Sequence, residues 1–290
     1  MAGVTHRRFS RLGPNLVIIG CALFFVLPLI SLARFAFQNV PTVNLGWSTL
    51  FDKWSFQGIS NAFNEPGFGD ALTLSLKLMV GTVVLTLALL LPTAIWVHLR
   101  IPKARPFVEF LTLLPYVIPA IALVAGVMVV RDHARWFLNS ELSLIPFYVV
   151  LALPFTYRSI DAGIRAIDLN TLVDASRSLG AGWGTTLRRA LIPNLRASII
   201  SSSFLTAAVV LGEYTMANVL LKFTLQPFLF EYRSHDPQGG YALALLVMLA
   251  TTLLFALLSV LTRPRGRKGT DKMVTEAMAG AAASPATGAA

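Results

Sequence analysis

Charge is scarce in this chain. Of 290 residues only 13 % are charged, against about 25 % in ordinary soluble proteins, while 55 % are hydrophobic and the mean hydropathy is +0.68. A soluble domain with one buried core is excluded by that balance, because it would not need several separate apolar runs, each near the roughly 20 residues that cross a bilayer. Cysteine is almost missing as well. Cys21 stands alone, so there is no intrachain disulfide framework and no CxxC metal or redox site. No G-x-x-x-x-G-K-[ST] stretch occurs, so nucleotide phosphates are not cradled by that route and any ATP dependence has to come from a partner. The four histidines, His6, His98, His133 and His235, include no H-x-x-x-H pair, and no G-x-S-x-G elbow appears. No catalytic residue, metal ligand or cofactor is therefore assigned, and enzymatic chemistry within this chain alone is not expected.

What is present is a series of apolar runs. Six spans are expected, at residues 15–36, 72–97, 108–130, 142–157, 198–220 and 241–261, giving an all-α, polytopic membrane bundle. The fourth is short and carries Pro146 and Pro154. With both termini cytoplasmic, seventeen lysines and arginines lie inside and six outside, with Lys77 near the outer end of the second span. That excess sets the orientation by the positive-inside rule. Arg7, Arg8 and Arg11 precede an apolar stretch in which Ile18-Ile19-Gly20-Cys21 resembles a lipoprotein processing box. The hydrophobic run continues well past Cys21, however, whereas a signal peptide's apolar region precedes its cleavage site, so an uncleaved first span is expected.

The division expected is a cytoplasmic N-terminus at 1–14, a transmembrane domain at 15–262 and a disordered cytoplasmic tail at 263–290, poor in bulky apolar residues. The tail's basic start is suited to anionic lipid headgroups. The net charge of +10 does not point to nucleic acid, because the arginines cluster beside apolar runs as cytoplasmic loops require.

Forty residues between the fourth and fifth spans, 158–197, are mostly polar, and a loop that long has structure of its own. Thr171-Leu172-Val173-Asp174 fits a capping box, which predicts a helix beginning at Thr171. Leu172, Ala175, Ser176 and Leu179 then form one narrow stripe of small and apolar residues, with Asp174 and Arg177 off it. Gly180 stands where a left-handed cap ends such a helix, and Gly182 and Gly184, flanking Trp183, keep the next turn free of side chains. A second helical piece, Thr185 to Ile192, carries Arg188 and Arg189 and should end at Pro193. By helix and turn alone, this insert is either an interfacial helix with arginines on lipid phosphates or a docking element.

The order of the residues resembles the E-A-A---G---------I-x-L-P loop of the membrane subunits of binding-protein-dependent, type I ABC importers. Asp174, Ala175 and Ser176 stand at E-A-A, Gly180 at the glycine, and Ala190 to Pro193 at I-x-L-P, with the spacing kept. The departures are aspartate for glutamate, serine for the third-position alanine, Ala190 for isoleucine and Ile192 for leucine. The resemblance implies that Thr171 to Gly182 forms a cytoplasmic coupling helix between spans four and five, seated in a groove of a separate ATPase subunit. Asp174 and Arg177 would then supply polar contacts, Ala175, Ser176, Gly180 and Gly182 close approach and a bendable turn, and Pro193 the motif's end. It further implies a permease subunit in a bacterial inner membrane, partnered by ABC ATPase subunits, a second permease subunit and an extracytoplasmic solute-binding protein. The similarity is greatest to the spermidine/putrescine branch, related to the iron, thiamine and phosphonate importers.

The fifth span is rich in small residues, among them Ser198, Ser201, Ser202, Ser203, Ala207, Ala208 and Gly212, which suits the inside of a bundle. It also carries Glu213. An intramembrane carboxylate is by default functional or paired. Glu213 and Tyr214, within an L-G-E-Y stretch similar to the equivalent stretch of those importers, either line a translocation pathway for a cation or, for Glu213, serve structurally by accepting from neighbouring helices or pairing with Lys77. Pro92, Pro115 and Pro119 predict kinks in spans two and three. Between spans one and two, Trp47, Phe51, Trp54 and Phe56 make a stretch suited to the outer interface. The alternative function is a secondary transporter or channel without an ATPase; it would call for ionisable relays in several spans, and only Lys77, Glu109 and Glu213 qualify.

Overall fold

In lipid every backbone N–H and C=O needs a partner within the protein, and a helix satisfies them within one segment. The computed structural model describes residues 6–38, 46, 53–129 and 131–262, and its chain is helical almost throughout. The first helix, α1 (His6–Phe37), leads through a single antiparallel bridge between Gln38 and Trp54 to the short α2 (Gln57–Asn64) and the long α3 (Phe68–Arg100). At 1.5 Å per residue α3 is about 50 Å long, so it projects beyond a hydrocarbon core of roughly 30 Å. Then come α4 (Arg105–Val117), α5 (Ala120–Val129), the one-turn α6 (Arg135–Leu138), α7 (Leu144–Arg165), α8 (Leu169–Ser178) and α9 (Trp183–Thr186). The described residues close with α10 (Ile192–Gly212), α11 (Thr215–Val219), α12 (Leu225–His235) and α13 (Pro237–Thr262).

Among the described residues five helices are long and apolar enough to cross a membrane, and six if the bent pair α4 and α5 counts as one span. The all-α membrane bundle read from composition is thus what the chain forms. Within it the prolines act selectively. Pro92 lies inside an unbroken α3, whereas the third span breaks at Ile118-Pro119 with a bend of 84°. Pro146 falls in the first turn of α7, where its missing N–H would have had no partner in any case. The fourth span is therefore not short; with Glu141–Arg165 it runs 25 residues.

Two further boundaries differ from expectation. Pro193 does not stop a helix, because Leu187–Leu191 widen into a π turn in which the Ile192 N–H donates to Leu187 O, five residues back. That turn re-registers the ladder ahead of the proline ring, and α9, the π turn and α10 run on as one 30-residue segment, Trp183–Gly212. The fifth span ends at Gly212 instead of passing through Glu213, which is extended (φ −80, ψ 124).

The core is the mutual packing of α3, α7 and α10. Small residues let the three approach closely: a methyl group at Gly163 of α7 would overlap Ser198 of α10, and one at Gly81 of α3 would come 2.5 Å from Ile145 Cδ1. Ser198 and Ser202 are buried on α10, and Thr206 shares a hydrogen bond of 2.8 Å with Thr156. Of the small residues expected inside, Ser198 and Ser202 are buried and Ser203, Ala207 and Ala208 half-buried, whereas Ser201 and Gly212 are exposed. A second group joins α1, α2 and α13, with Trp54, Phe56 and Phe63 exposed beside it. Trp47, Phe51 and the segment 263–290 fall outside the described residues.

Candidate functional site

At the end of the bundle where α7 stops, α8 is held by its own sequence. Its N-cap is Asp168, whose carboxylate accepts from the Thr171 N–H at 3.2 Å and from the Thr171 hydroxyl at 2.6 Å. The capping residue is thus three positions earlier than the Thr171-Asp174 box implies. Aspartate is the stronger N-cap, and the earlier start turns Leu169 inward. These hydrogen bonds, the hydroxyl's first, hold the Asp168 carboxyl below the usual carboxylate range. Leu169 and Val173 are buried and Leu172 is partly buried, all against Ile160 and Ile164 of α7, Leu90, Ala94 and Ile95 of α3, and Leu191 and Leu195. The inward stripe is therefore Leu169, Leu172, Val173 and Ser176; Ala175 and Leu179, expected on it, face out, with Leu179 88 % exposed.

The helix ends as a Schellman motif. The Ala181 N–H donates to Ser176 O and the Gly180 N–H to Arg177 O, and Gly180 has φ +78, a value that side-chain-bearing residues rarely adopt. Asp174, Ala175, Arg177, Leu179, Gly180 and Gly182 are all exposed, and Ser176 is partly so, its hydroxyl bonded to Leu172 O. The face left open is small and polar, with Leu179 and the half-exposed Trp183 at its end. Pro193 lies beyond the π turn, exposed and apart from this face.

At the other end of α10, Glu213 sits in the helix break and caps the segment after it. Oε1 accepts from the Met216 N–H at 2.7 Å, and Oε2 from the Ala217 N–H at 3.3 Å and from the Tyr148 hydroxyl at 3.1 Å. The carboxylate thus ties α7 to the start of α11, and no ion pair to Lys77 forms. Tyr214 turns the other way, its ring 5.4 Å from Phe230, into a cavity of about 500 Å³ that Asn218, Lys222 and Glu231 also line. A neighbouring cavity of about 530 Å³ collects Asp70, Lys77, Glu141 and Lys222. The Lys222 ammonium donates to Asn139 O at 3.2 Å, and burial holds it below the usual lysine range against the opposing pull of Glu141.

One cluster is absent from the sequence reading. Asp161, 5 % exposed, lies between His98 of α3 and Arg105 of α4, its Oδ1 3.1 Å from His98 Nε2 and from Arg105 Nε; Arg105 donates a hydrogen bond, whereas the imidazole is at ion-pair distance without an aligned one. Its Oδ2 pairs with Arg165, one turn on. Glu109 of α4 faces Arg158 at 3.7 Å and Arg165 at 3.9 Å. Ending the fourth span at Tyr157 placed these charges in a loop. The signal was the spacing of Tyr157, Asp161 and Ile164, which puts an acid on the buried stripe of a continued helix.

The family model for the "binding-protein-dependent transport system inner membrane component" matches residues 91–268. The spermidine/putrescine transport system permease protein PotB of Haemophilus influenzae is 25 % identical over 182 residues, which cover 57 % of this chain and 63 % of that protein. Among solved structures, a chain of a bacterial ABC transporter involved in the import of the acidic polysaccharide alginate overlays with a TM-score of 0.65 at 17 % identity, over 89 % of this chain and 98 % of that one. A chain of an amino acid ABC transporter gives a TM-score of 0.49 at 17 % identity, over 70 % and 96 % of the two chains.

Proposed function

The chain belongs to the family of binding-protein-dependent transport system inner membrane components, a multi-pass transport subunit and not an enzyme, and from that premise we propose that it forms half of a solute pathway opened by a separate ATPase through α8. The observation that carries this is the pairing of a small, polar, exposed face on α8 with a buried face locked into α3, α7 and α10. A docking partner could reach the first face, and the second would pass a displacement to the spans as a rigid-body motion. Asp174 and Arg177 offer polar contacts; Ala175, Ser176, Gly180 and Gly182 allow close approach; and Pro193 marks where the loop joins the fifth span. In this reading 158–197 is the coupling segment of a transmembrane domain at 15–262, both chain ends are cytoplasmic, and 263–290 is a cytoplasmic tail.

The partners are a second permease subunit, two ABC ATPase subunits and an extracytoplasmic solute-binding protein that carries most of the specificity. Membrane lipid surrounds the apolar exterior. The pathway runs past Glu213 and Tyr214, with Glu213 shaping the break and Tyr214 presenting its ring. The solute is a polyamine such as spermidine or putrescine, or a related small solute. The likeness to PotB supports this, as does the Tyr214 ring in a cavity that Glu231 also lines, an aromatic face and a carboxylate that suit organic ammonium groups.

The test is reconstitution in proteoliposomes with the co-purifying ATPase and binding protein. ATP-driven uptake of labelled spermidine, competed by putrescine, supports the whole reading. ATP-driven uptake of a different solute removes the polyamine assignment alone, and exchange that needs no ATP removes the coupling role.

A further inference from the structure

From the cluster around Asp161 we infer that this carboxylate is a positioning residue: it fastens the broken span α4–α5 to the base of α8, so that movement of the docking helix reaches the Glu213 break through α4 and α5. The inference rests on the coupling role proposed for α8.

The two ends of the broken span are held differently. At the α8 end, α4 has little apolar hold. Thr112 is its one buried residue, and Phe107, Phe110, Leu111 and Leu114 are exposed. What fixes it is Val108, partly buried against the cluster that seats α8, together with charge: Arg105 on Asp161, and Glu109 facing Arg158 and Arg165. Asp161 is buried and bonded from two helices while lying beside a third, an arrangement whose loss leaves Arg105 without its carboxylate and Arg165 with Glu109 alone, at 3.9 Å. The carboxylate also sits on the apolar cluster that seats α8. Ile160 and Ile164 flank it in sequence and pack with Leu169 and Val173, and Ala94, whose carbonyl lies 2.9 Å from His98 Nδ1, belongs to the same cluster.

At the far end α5 is held by packing. Val124 is buried with Tyr148, Val210, Met216 and Ala217, of which Tyr148, Met216 and Ala217 donate to the Glu213 carboxylate. A push on α8 therefore has two routes to the break, directly up α7 and α10, or through Asp161 into α4, around the 84° bend and into α11. Only the second depends on charge. A pathway of this kind is established by measured coupling and not by proximity.

The experiment uses the full chain with its co-purifying ATPase, comparing parent, Asp161→Asn and Asp161→Glu for complex recovery, ATP hydrolysis and ATP-driven uptake in the same proteoliposomes. Expected for Asp161→Asn is full recovery of the complex and ATP hydrolysis within about twofold of parent, with uptake per ATP reduced about tenfold, inside the roughly 5- to 150-fold range of coupling between sites. Asp161→Glu should restore most of that ratio. Unchanged uptake per ATP, or hydrolysis and uptake falling together, would overturn the inference. If Asp161→Asn does not accumulate in the membrane, Arg105→Gln removes the α4 strut alone while Arg165 still pairs the carboxylate, and it must show the same split. A parent complex with no ATPase and no ATP-driven uptake fails the coupling reading itself, which is a different result from an intact machine with an unaltered ratio in the variants.

Discussion

Replacing Glu213 by glutamine keeps the shape of the side chain and removes one acceptor oxygen and the charge. In the parent, three donors converge on the carboxylate at 2.7, 3.1 and 3.3 Å. With the amide oxygen kept toward Met216, the NH₂ faces the Ala217 N–H, which loses its partner, while Tyr148 can turn its hydroxyl to accept. Hydrogen bonds to a charged group contribute about 1.5–3 kcal/mol and neutral ones about 0.5–1.5, so neutralising the Met216 bond costs about 1 kcal/mol and stranding the Ala217 N–H about 1 more. The expected loss for Glu213→Gln is about 2 kcal/mol. Glu213→Ala, which strands all three donors, should cost about twice that, and Tyr148→Phe, which removes a bond to a charged group, about 1.5–3 kcal/mol. The assay is thermal unfolding of the purified protein in nanodiscs, run beside solute uptake, with a Tyr148→Phe/Glu213→Gln cycle expected to show coupling of at least about 0.5 kcal/mol. A Glu213→Gln protein that unfolds with its parent while the KM for solute rises would refute the capping argument and give the carboxylate to the solute.

Three other outcomes follow from the geometry. Gly163→Ala drives a methyl into Ser198 and should destabilise the bundle by about 1–3 kcal/mol, with Ser198→Gly restoring most of the loss in the same unfolding assay. Gly180→Ala places a side chain at φ +78 at a cost of about 1–2 kcal/mol and should speed amide exchange at Ala181; Gly180→Trp should abolish transport while membrane insertion persists, as uptake and membrane fractionation together would show. Because the folded-state carboxyl of Asp168 titrates below its ordinary value, its cap contributes fully above the ordinary carboxylate pKa of about 3.9 and is lost only as pH falls through the lowered one. Intrinsic-rate-corrected exchange of the Thr171 amide should therefore be flat from about pH 5 upward, and Asp168→Ala should raise it.

Long apolar runs made the spans legible, since nothing but a helix satisfies that much backbone in lipid. Gly180 was legible for a similar reason: a positive φ at a helix end leaves few residue choices. The fourth span was misread because it was ended where polarity began. Arg158 and Asp161 extend α7 because the end of the bundle supplies their partners, and a π turn carries the fifth span through Pro193, which propensity alone cannot foresee. Glu213 ended a helix that hydropathy ran through, since its carboxylate satisfies the first N–H groups of α11. The sidedness of α8 was missed by three residues, close to one turn: with the cap at Asp168 instead of Thr171, Leu169 and Val173 take the inward places expected for Leu179 and Ala175.

The central claim, that α8 is the surface through which a separate ATPase drives this subunit, is tested most directly by photo-crosslinking from Ala175, exposed on the open face of α8, in native membranes. A photoreactive residue there is expected to capture a Walker-motif ATPase, with capture lost on Gly180→Trp and absent when the probe is placed instead at Val129 on α5. Capture of no ATPase by a chain that still moves solute without ATP would contradict the account.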